Sequence, residues 1–352
     1  MFNLIDTVKK FNLPFLSYLD VCIDLGTNIT RFALKDKGII LREASVTGFN
    51  DRTKEYLFFG EEAKRIQGKT PEFIKVVSPV VNSVISDFDS EVALQQKFFD
   101  KAVGPYLGRS IRPPIRIITT IPSIATEIEQ RAVHELMNKL GSVKTFCINK
   151  PLAVASGVGI NILSHQPSFI IDLGAGLIEM AIISGGGIVI NKTLKNAGNH
   201  MNHLVYNYCY LKYGIVLGEN TVEELKTQLL TFGKEERIFT VRGKSLENGL
   251  PKSIRLKSSE IKESLLTNFN QIIDAARELI ELSPPEIVEE IYSHGILLTG
   301  GMTACEGIET YFSQELKIDT IIPENAVDAT INGLIRLGKN EQELSRLATE
   351  TF

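Results

Sequence analysis

Val21-Cys22-Ile23-Asp24-Leu25-Gly26-Thr27-Asn28-Ile29-Thr30-Arg31-Phe32-Ala33-Leu34 is an apolar run that breaks on Asp-Leu-Gly and then resumes. A β-type segment, a small polar loop and a second β-type segment read as a hairpin. The pattern returns in SFIIDLGAGLIEMAII, Ser168 to Ile183, broken again by Asp172-Leu173-Gly174. One such loop is an ordinary turn. A matched pair, one in each half, points to duplicated domains presenting similar loops to one cleft. Glycine lets the backbone approach a phosphate closely, and turn amides form a concave anion site. An Asp at each strand end is placed to hold Mg²⁺ through water, because Mg²⁺ takes oxygen ligands and keeps part of its hydration shell.

At 352 residues the chain has room for two domains, each with its own core. A hydrophobic fraction of 43% with 23% charged residues is that of a globular protein. The net charge of −4 argues against a nucleic-acid-binding surface spread over the molecule. Cys22, Cys147, Cys209 and Cys305 are scattered without a C-x-x-C, which gives neither a zinc site nor a disulfide framework and fits a reducing cytoplasm. His200 and His203 share a helix face but have no third ligand nearby, so they read as surface residues.

Strands alternating with helices indicate α/β architecture with a partly parallel sheet. In the first half, Ile39 to Val46 reads as a strand and a polar, charged stretch from Asn50 to Lys69 holds a helix at Glu61 to Ile66. Val76 to Ile85 is extended, Asp87 to Val103 helical, and Gly104 to Pro114 a loop. Ile115 to Ile121 is a buried strand, Ala125 to Leu140 an amphipathic helix and Phe146 to Ile148 a short strand, after which Pro151 opens a helix. The second half repeats the plan. Its hairpin leads through a turn at Gly185 to Gly187 into strand Ile188 to Leu194, followed by helices around His200 to Tyr213 and Thr221 to Leu230. Ile238 to Val241 and Ser253 to Leu256 form a small subdomain, and Ser259 to Leu282 is a long helix stopped by Ser283-Pro284-Pro285. Gly295 to Leu298 runs into Thr299-Gly300-Gly301, a third place for close backbone approach, here beside a base or ribose.

Two Asp-Gly hairpins, an insert in each half and a late Thr-Gly-Gly turn resemble the actin, heat-shock chaperone and sugar kinase ATPase superfamily. Within it, the chain resembles the MreB family of bacterial actins, the rod-shape-determining proteins. The resemblance runs from Val21 to Lys339 and includes GEEAKRIQGKTPEFI (Gly60 to Ile74), VISDFD (Val84 to Asp89) and GENTVEELK (Gly218 to Lys226). It continues through VRGKSLENGLPKSIRL (Val241 to Leu256) and the SPPE stretch leading to ILLTGG (Ser283 to Gly301).

The resemblance implies an actin-like α/β fold of two duplicated domains, each a mixed sheet flanked by helices with a smaller inserted subdomain, and a nucleotide cleft between them. The divisions expected are an amphipathic segment 1–20, domain I at 21–150 with its insert about 41–76, and domain II at 151–325 with its insert about 196–258. A C-terminal helix, 326–345, returns to domain I. The first phosphate loop is then Asp24, Gly26, Thr27 and Asn28, and the second Asp172, Gly174, Ala175 and Gly176. Glu223 and Lys226 line the nucleoside pocket, and Thr299, Gly300, Gly301 and Met302 form the adenosine loop. ATP with Mg²⁺ is the implied cofactor, Asp24 and Asp172 its metal carboxylates, and nucleotide-driven closure favours head-to-tail filaments.

Departures from the family surround the γ-phosphate position. The family's water-positioning Glu before Pro151 is replaced by Lys150, which while charged accepts no proton and meets phosphate as a counter-charge. Leu177 and Ile178 stand where hydroxyls are usual, Ala197-Gly198-Asn199 replaces Gly-Gly-Asp, and Met302 replaces a glycine. These changes imply weak or lost hydrolysis with binding retained. An actively hydrolysing filament, a nucleotide-independent scaffold co-assembling with another actin, and a small-molecule kinase are the alternatives.

Met1, Leu4, Ile5, Val8 and Phe11 fall on one arc of a helical wheel, with Asn3, Asp6, Lys9 and Lys10 opposite. Lysines behind the first apolar residues and no small-residue cleavage site exclude a signal peptide. By the resemblance, Phe2, Leu4, Ile5, Val8 and Phe11 of this segment, and Tyr106-Leu107 in the loop beside Arg109 and Arg112, contact the inner face of the cell membrane; docking of the helix on its own domain is the alternative. The expected partners are further copies of the chain, the inner-membrane surface and other actins or morphogenesis proteins, with no nucleic acid.

Overall fold

The computed structural model describes residues 18–108 and 112–349. The N-terminal amphipathic segment and Arg109 lie outside them. Two five-stranded sheets share one plan. In the first, Leu19–Leu25 pairs antiparallel with Ile29–Leu34, which pairs antiparallel with Gly38–Ala44. On its other side Leu19–Leu25 runs parallel to Ile115–Ile121, which runs parallel to Ser142–Asn149. The second sheet repeats this order with Gly187–Leu194, Ile178–Ser184, Ser168–Leu173, Ile296–Thr299 and Thr320–Ile321. Each half carries a small three-stranded sheet, one built on Thr47–Asn50 and the other on Ile238–Ser245.

Strand alternation decides what each face packs against. Val21 and Ile23 face a core with Phe32, Leu94, Phe98, Ile117 and Met137. Cys22, between them, faces a second core with Ile118, Ile148, Ile170, Ala181, Ile183, Leu334 and Leu337, so residues of both sheets meet there. A third core fills the second half around Leu173, Met201, Phe269, Phe312 and Leu298. The helices Lys150–Gly157 and Ala329–Gly338 cross within the shared core. They approach so closely that a Cβ on Gly333 would lie 1.7 Å from the Ala153 carbonyl oxygen, and one on Gly157 1.8 Å from that of Ala329. Only glycine admits such an approach.

Helix starts follow local chemistry. Asp87 accepts from the Ser90 amide at 3.1 Å to open Phe88–Ala102. Thr126 and Glu129 form a capping box on Glu127–Lys139. Four local expectations differ from the structure. The stretch read as continuously extended, Val76 to Ile85, breaks into three short strands, because Asn82 and Ser83 take positive φ of 49° and 58° in a tight hairpin. The charged stretch after Asn50 hides strand Glu55–Phe59, half-exposed and paired with Thr47–Asn50. The short strand at Phe146 extends over Ser142–Asn149, its first residues largely exposed and bulged. Pro285 begins a helix, Pro285–His294, as well as ending one.

Candidate functional site

The two Asp-Leu-Gly loops meet. A Cβ on Gly176 would lie 2.2 Å from Thr27 Oγ1, and the Ser83 amide donates to that same oxygen at 2.9 Å. Asn28 and Asn199 exchange a reciprocal pair of amide hydrogen bonds, 3.0 and 2.9 Å, tying the first loop to the start of helix Gly198–Tyr213 in the other half. That helix start is itself seated on the second loop, with the Gly198 and Asn199 amides donating to the carbonyls of Gly174 and Ala175. Among the described residues, the backbone amides of Thr27, Asn28, Ala175 and Gly176 donate to no protein acceptor. Two open turn amides from each loop are the groups an anion would take up.

The carboxylates are arranged differently. Asp24 stands opposite Arg31 across the first hairpin, and Asp172 opposite Glu179 at the same offset in the second. The first pair is neutral by itself, with Arg31 Nη1 3.1 Å from Asp24 Oδ2. Arg31 Nε also reaches Asp328 Oδ1 at 2.9 Å, and Asp328 pairs with Arg42. The second pair is two like charges, and Lys150 neutralises it. Its Nζ lies 2.8 Å from Asp172 Oδ2 and 3.8 Å from Glu179 Oε2. Asp172 Oδ1 accepts from Thr299 at 3.0 Å, and Glu179 Oε1 from the Ser123 amide at 2.9 Å. Burial opposes the Lys150 charge, but Asp172, Glu179 and Asp24 outweigh it and hold the ammonium well above its ordinary range. Burial pushes the carboxyls of Asp24 and Glu179 up, against the pull of Arg31 on the first and Lys150 on the second.

Lys226 donates to the Gly198 carbonyl at 2.8 Å, and burial pushes its pKa down to about 8, with Glu223 pulling the other way. Glu223 pairs with Lys64 of the first half's insert at 3.1 Å, and Asn220 donates to the Lys64 carbonyl at 2.8 Å. These bridges span a cavity of about 820 Å³, a volume suited to a small ligand, lined by Thr27, Asn28, Asn199, Lys64, His203 and Glu223 among others. Asp24, Asp172 and the Thr299 loop do not line it. Thr299 is fully buried against Asp172, and Gly300 takes φ 89° where a Cβ would meet Leu173 at 2.5 Å. Gly301 faces open space, and Met302 packs partly buried on the third core. Gly26 has no room for a side chain, its Cβ position lying 2.2 Å from the Ile29 carbonyl oxygen; the corresponding position at Gly174 lies 2.6 Å from that of Leu177.

The predicted set therefore divides. The loop residues, Lys150, Asp172 and Thr299 come together, and Glu223 and Lys226 flank the same helix start. Tyr106 and Leu107 lie on the first half; Tyr106 is 40% exposed with Lys37 over its ring, and Leu107 packs partly buried on the core. Arg31, Glu179 and Asp328 were missed. A charged residue inside an otherwise apolar strand was the available signal, and so was a lysine at the first position of Lys150–Gly157, where the helix dipole disfavours a cation. The open amides fit a phosphate chain. The carboxylates do not fit Mg²⁺: both Asp172 oxygens and one Asp24 oxygen already face donors or cations, and no cluster of three His, Cys, Asp or Glu exists among the described residues.

The duplicated sheets and paired-loop cleft define an actin-like protein, and solved actin-like structures share the fold. The MamK double helical filament aligns at TM-score 0.76 and 17% identity over 92% of this chain and 99% of that one. A family model described as MreB/Mbl protein matches residues 18–346, and the chain belongs to the MreB/Mbl family. It is 32% identical over 316 residues to the cell shape-determining protein Mbl of Bacillus subtilis, covering 89% of this chain and 94% of that one. MreB5 of Spiroplasma citri bound to ADP superimposes with TM-score 0.88 at 29% identity, over 93% of this chain and 98% of that one. The same protein bound to AMPPNP gives 0.87.

Proposed function

We propose that this chain binds ATP between its two halves and polymerises head-to-tail into cytoskeletal filaments on the inner face of the cell membrane, with weak or lost hydrolysis. The observation that carries the reading is the four open turn amides of Thr27, Asn28, Ala175 and Gly176 beside a fixed Lys150 ammonium. The amides and ammonium hold the triphosphate; Glu223, Lys226 and the turn from Thr299 to Met302 flank the nucleoside. Similarity to MreB5, solved with ADP and with AMPPNP, supports nucleotide binding, and similarity to Mbl, a cell shape-determining protein, supports a role in cell shape.

Hydrolysis needs a group that orients or deprotonates water. Lys150 stands in that place, and Asp172 holds its proton in place. Closure by ligand favours the polymerising shape, and an interface that does not close into a ring yields a filament. Self-association is thus the main partnership, with other actins or morphogenesis proteins joining it. One amphipathic segment per subunit binds membrane weakly, and a filament multiplies it. Among the described residues no helix is long and apolar enough to cross a membrane.

Phosphate release and light scattering on the purified chain, with ATP and with AMPPNP, test this reading. Assembly with both nucleotides and slow release are expected. Turnover matching a hydrolysing actin would refute impaired hydrolysis, and assembly with no nucleotide bound would favour a scaffold.

A further inference from the structure

We propose that the Lys150 ammonium takes the place of the divalent cation at the triphosphate, so that this chain binds nucleotide without a metal. The inference rests on the nucleotide reading above. Its starting point is the duplicated hairpin register, which sets Glu179 directly opposite Asp172. Two buried carboxylates facing each other need a cation between them or must keep a proton on one of the pair. In the corresponding place of the first hairpin Arg31 faces Asp24, so that hairpin supplies its own. Lys150 supplies the second from another element, the start of the helix after the last strand of the first sheet.

The ammonium is also beside the anion loop. It lies 3.8 Å from the position a Gly174 Cβ would occupy, next to the open amides of Ala175 and Gly176. It is held by Asp172 at 2.8 Å and by Glu179 at 3.8 Å, and its side chain is 14% exposed. A cation fixed from one side by carboxylates presents its remaining donors to the other. Thr299 on Asp172 and Arg31 on Asp24 take further oxygens that a hydrated Mg²⁺ would otherwise use. One built-in positive charge thus does the electrostatic work and excludes the metal.

The test titrates a fluorescent ATP analogue into the full chain, once with Mg²⁺ and once with excess EDTA. The wild-type dissociation constants should agree within about threefold, under 1 kcal/mol. Lys150→Arg should behave alike. Lys150→Met and the charge-balanced Lys150→Met/Glu179→Gln should weaken binding in EDTA by about tenfold or more, and Mg²⁺ should restore it in the single variant, where the carboxylates are freed. The double variant covers the case in which Lys150→Met alone does not fold. A wild-type loss of tenfold or more on chelation would overturn the proposal and leave the nucleotide reading standing. No binding in either condition would overturn both.

Discussion

Replacing Lys150 by Met removes the only cation within ion-pairing distance of Asp172 or Glu179 among the described residues. At an effective dielectric of about 20, an ion pair at 2.8 Å is worth about 6 kcal/mol and one at 3.8 Å about 4. Burying the ammonium offsets much of that, so the expected loss is about 3–5 kcal/mol, the usual cost of stripping one partner from a buried pair. Most of it comes from the two carboxylates left facing each other. Glu179→Gln keeps an oxygen for the Ser123 amide while removing one charge. The double variant should therefore recover about 2–3 kcal/mol, a coupling that chemical denaturation followed by circular dichroism will read.

The pH dependence has a defined sign. Burial holds the Glu179 carboxyl above 4.5, and losing Lys150 removes the main pull downwards. The native state then binds more protons than the unfolded state, so the Lys150→Met deficit grows as pH rises from that value. Additive effects of the two substitutions, or a single-variant loss below about 1 kcal/mol, would refute the charge argument.

Glu91 is fully buried and burial pushes its carboxyl up to about 7, with Gln95 donating to it. Native Glu91 takes up protons below that value, so stability falls as pH rises from about 4.5 to about 7. Glu91→Gln should flatten this slope and gain up to about 3 kcal/mol at pH 8, read by denaturation across pH. Asn199→Ala removes both amide bonds to Asn28 and should cost about 1–3 kcal/mol of the closed arrangement, seen as faster hydrogen exchange of the Ser83 and Gly198 amides, which are bonded to the two loops. Gly333→Ala forces a methyl to within 1.7 Å of a carbonyl oxygen, so the two helices must part. A loss of about 3 kcal/mol or more in thermal denaturation is expected; an unchanged transition would show that the crossing is looser than described.

The hairpins and the alternation of strands and helices were legible because apolar runs, Asp-Gly turns and helix breakers are local signals. Glu55–Phe59 was not, since a half-exposed strand with Glu55 and Tyr56 beside charged neighbours carries no clean alternation. The site was legible only in part. Asp24 and Asp172 stand out at strand ends, but who faces them depends on register and on the start of a distant helix. Lys150 looked like a lesion when compared with related sequences. In place it completes a charge balance that Glu179 requires, so its role could be read only once the second hairpin was paired. The Asn28–Asn199 bridge joins positions far apart in the chain, neither with a sequence signature.

The glycine crossing of Gly157 and Gly333 bears on mechanics. Interlocked side chains would have to be lifted out of their holes for one helix to turn over another; bare backbones have none there. The crossing resists approach but offers little torque against rotation, like a plain bearing. Stiffness between the halves is then shared between the apolar side chains of the core common to both sheets and the polar clasps, Asn28 with Asn199, Glu223 with Lys64 and Ser123 with Glu179. Clasps of that kind exchange with water and, where charged, weaken with salt. Ionic strength, acting on the half-exposed Glu223–Lys64 pair and not on the core, becomes a dial for how firmly the two halves are held.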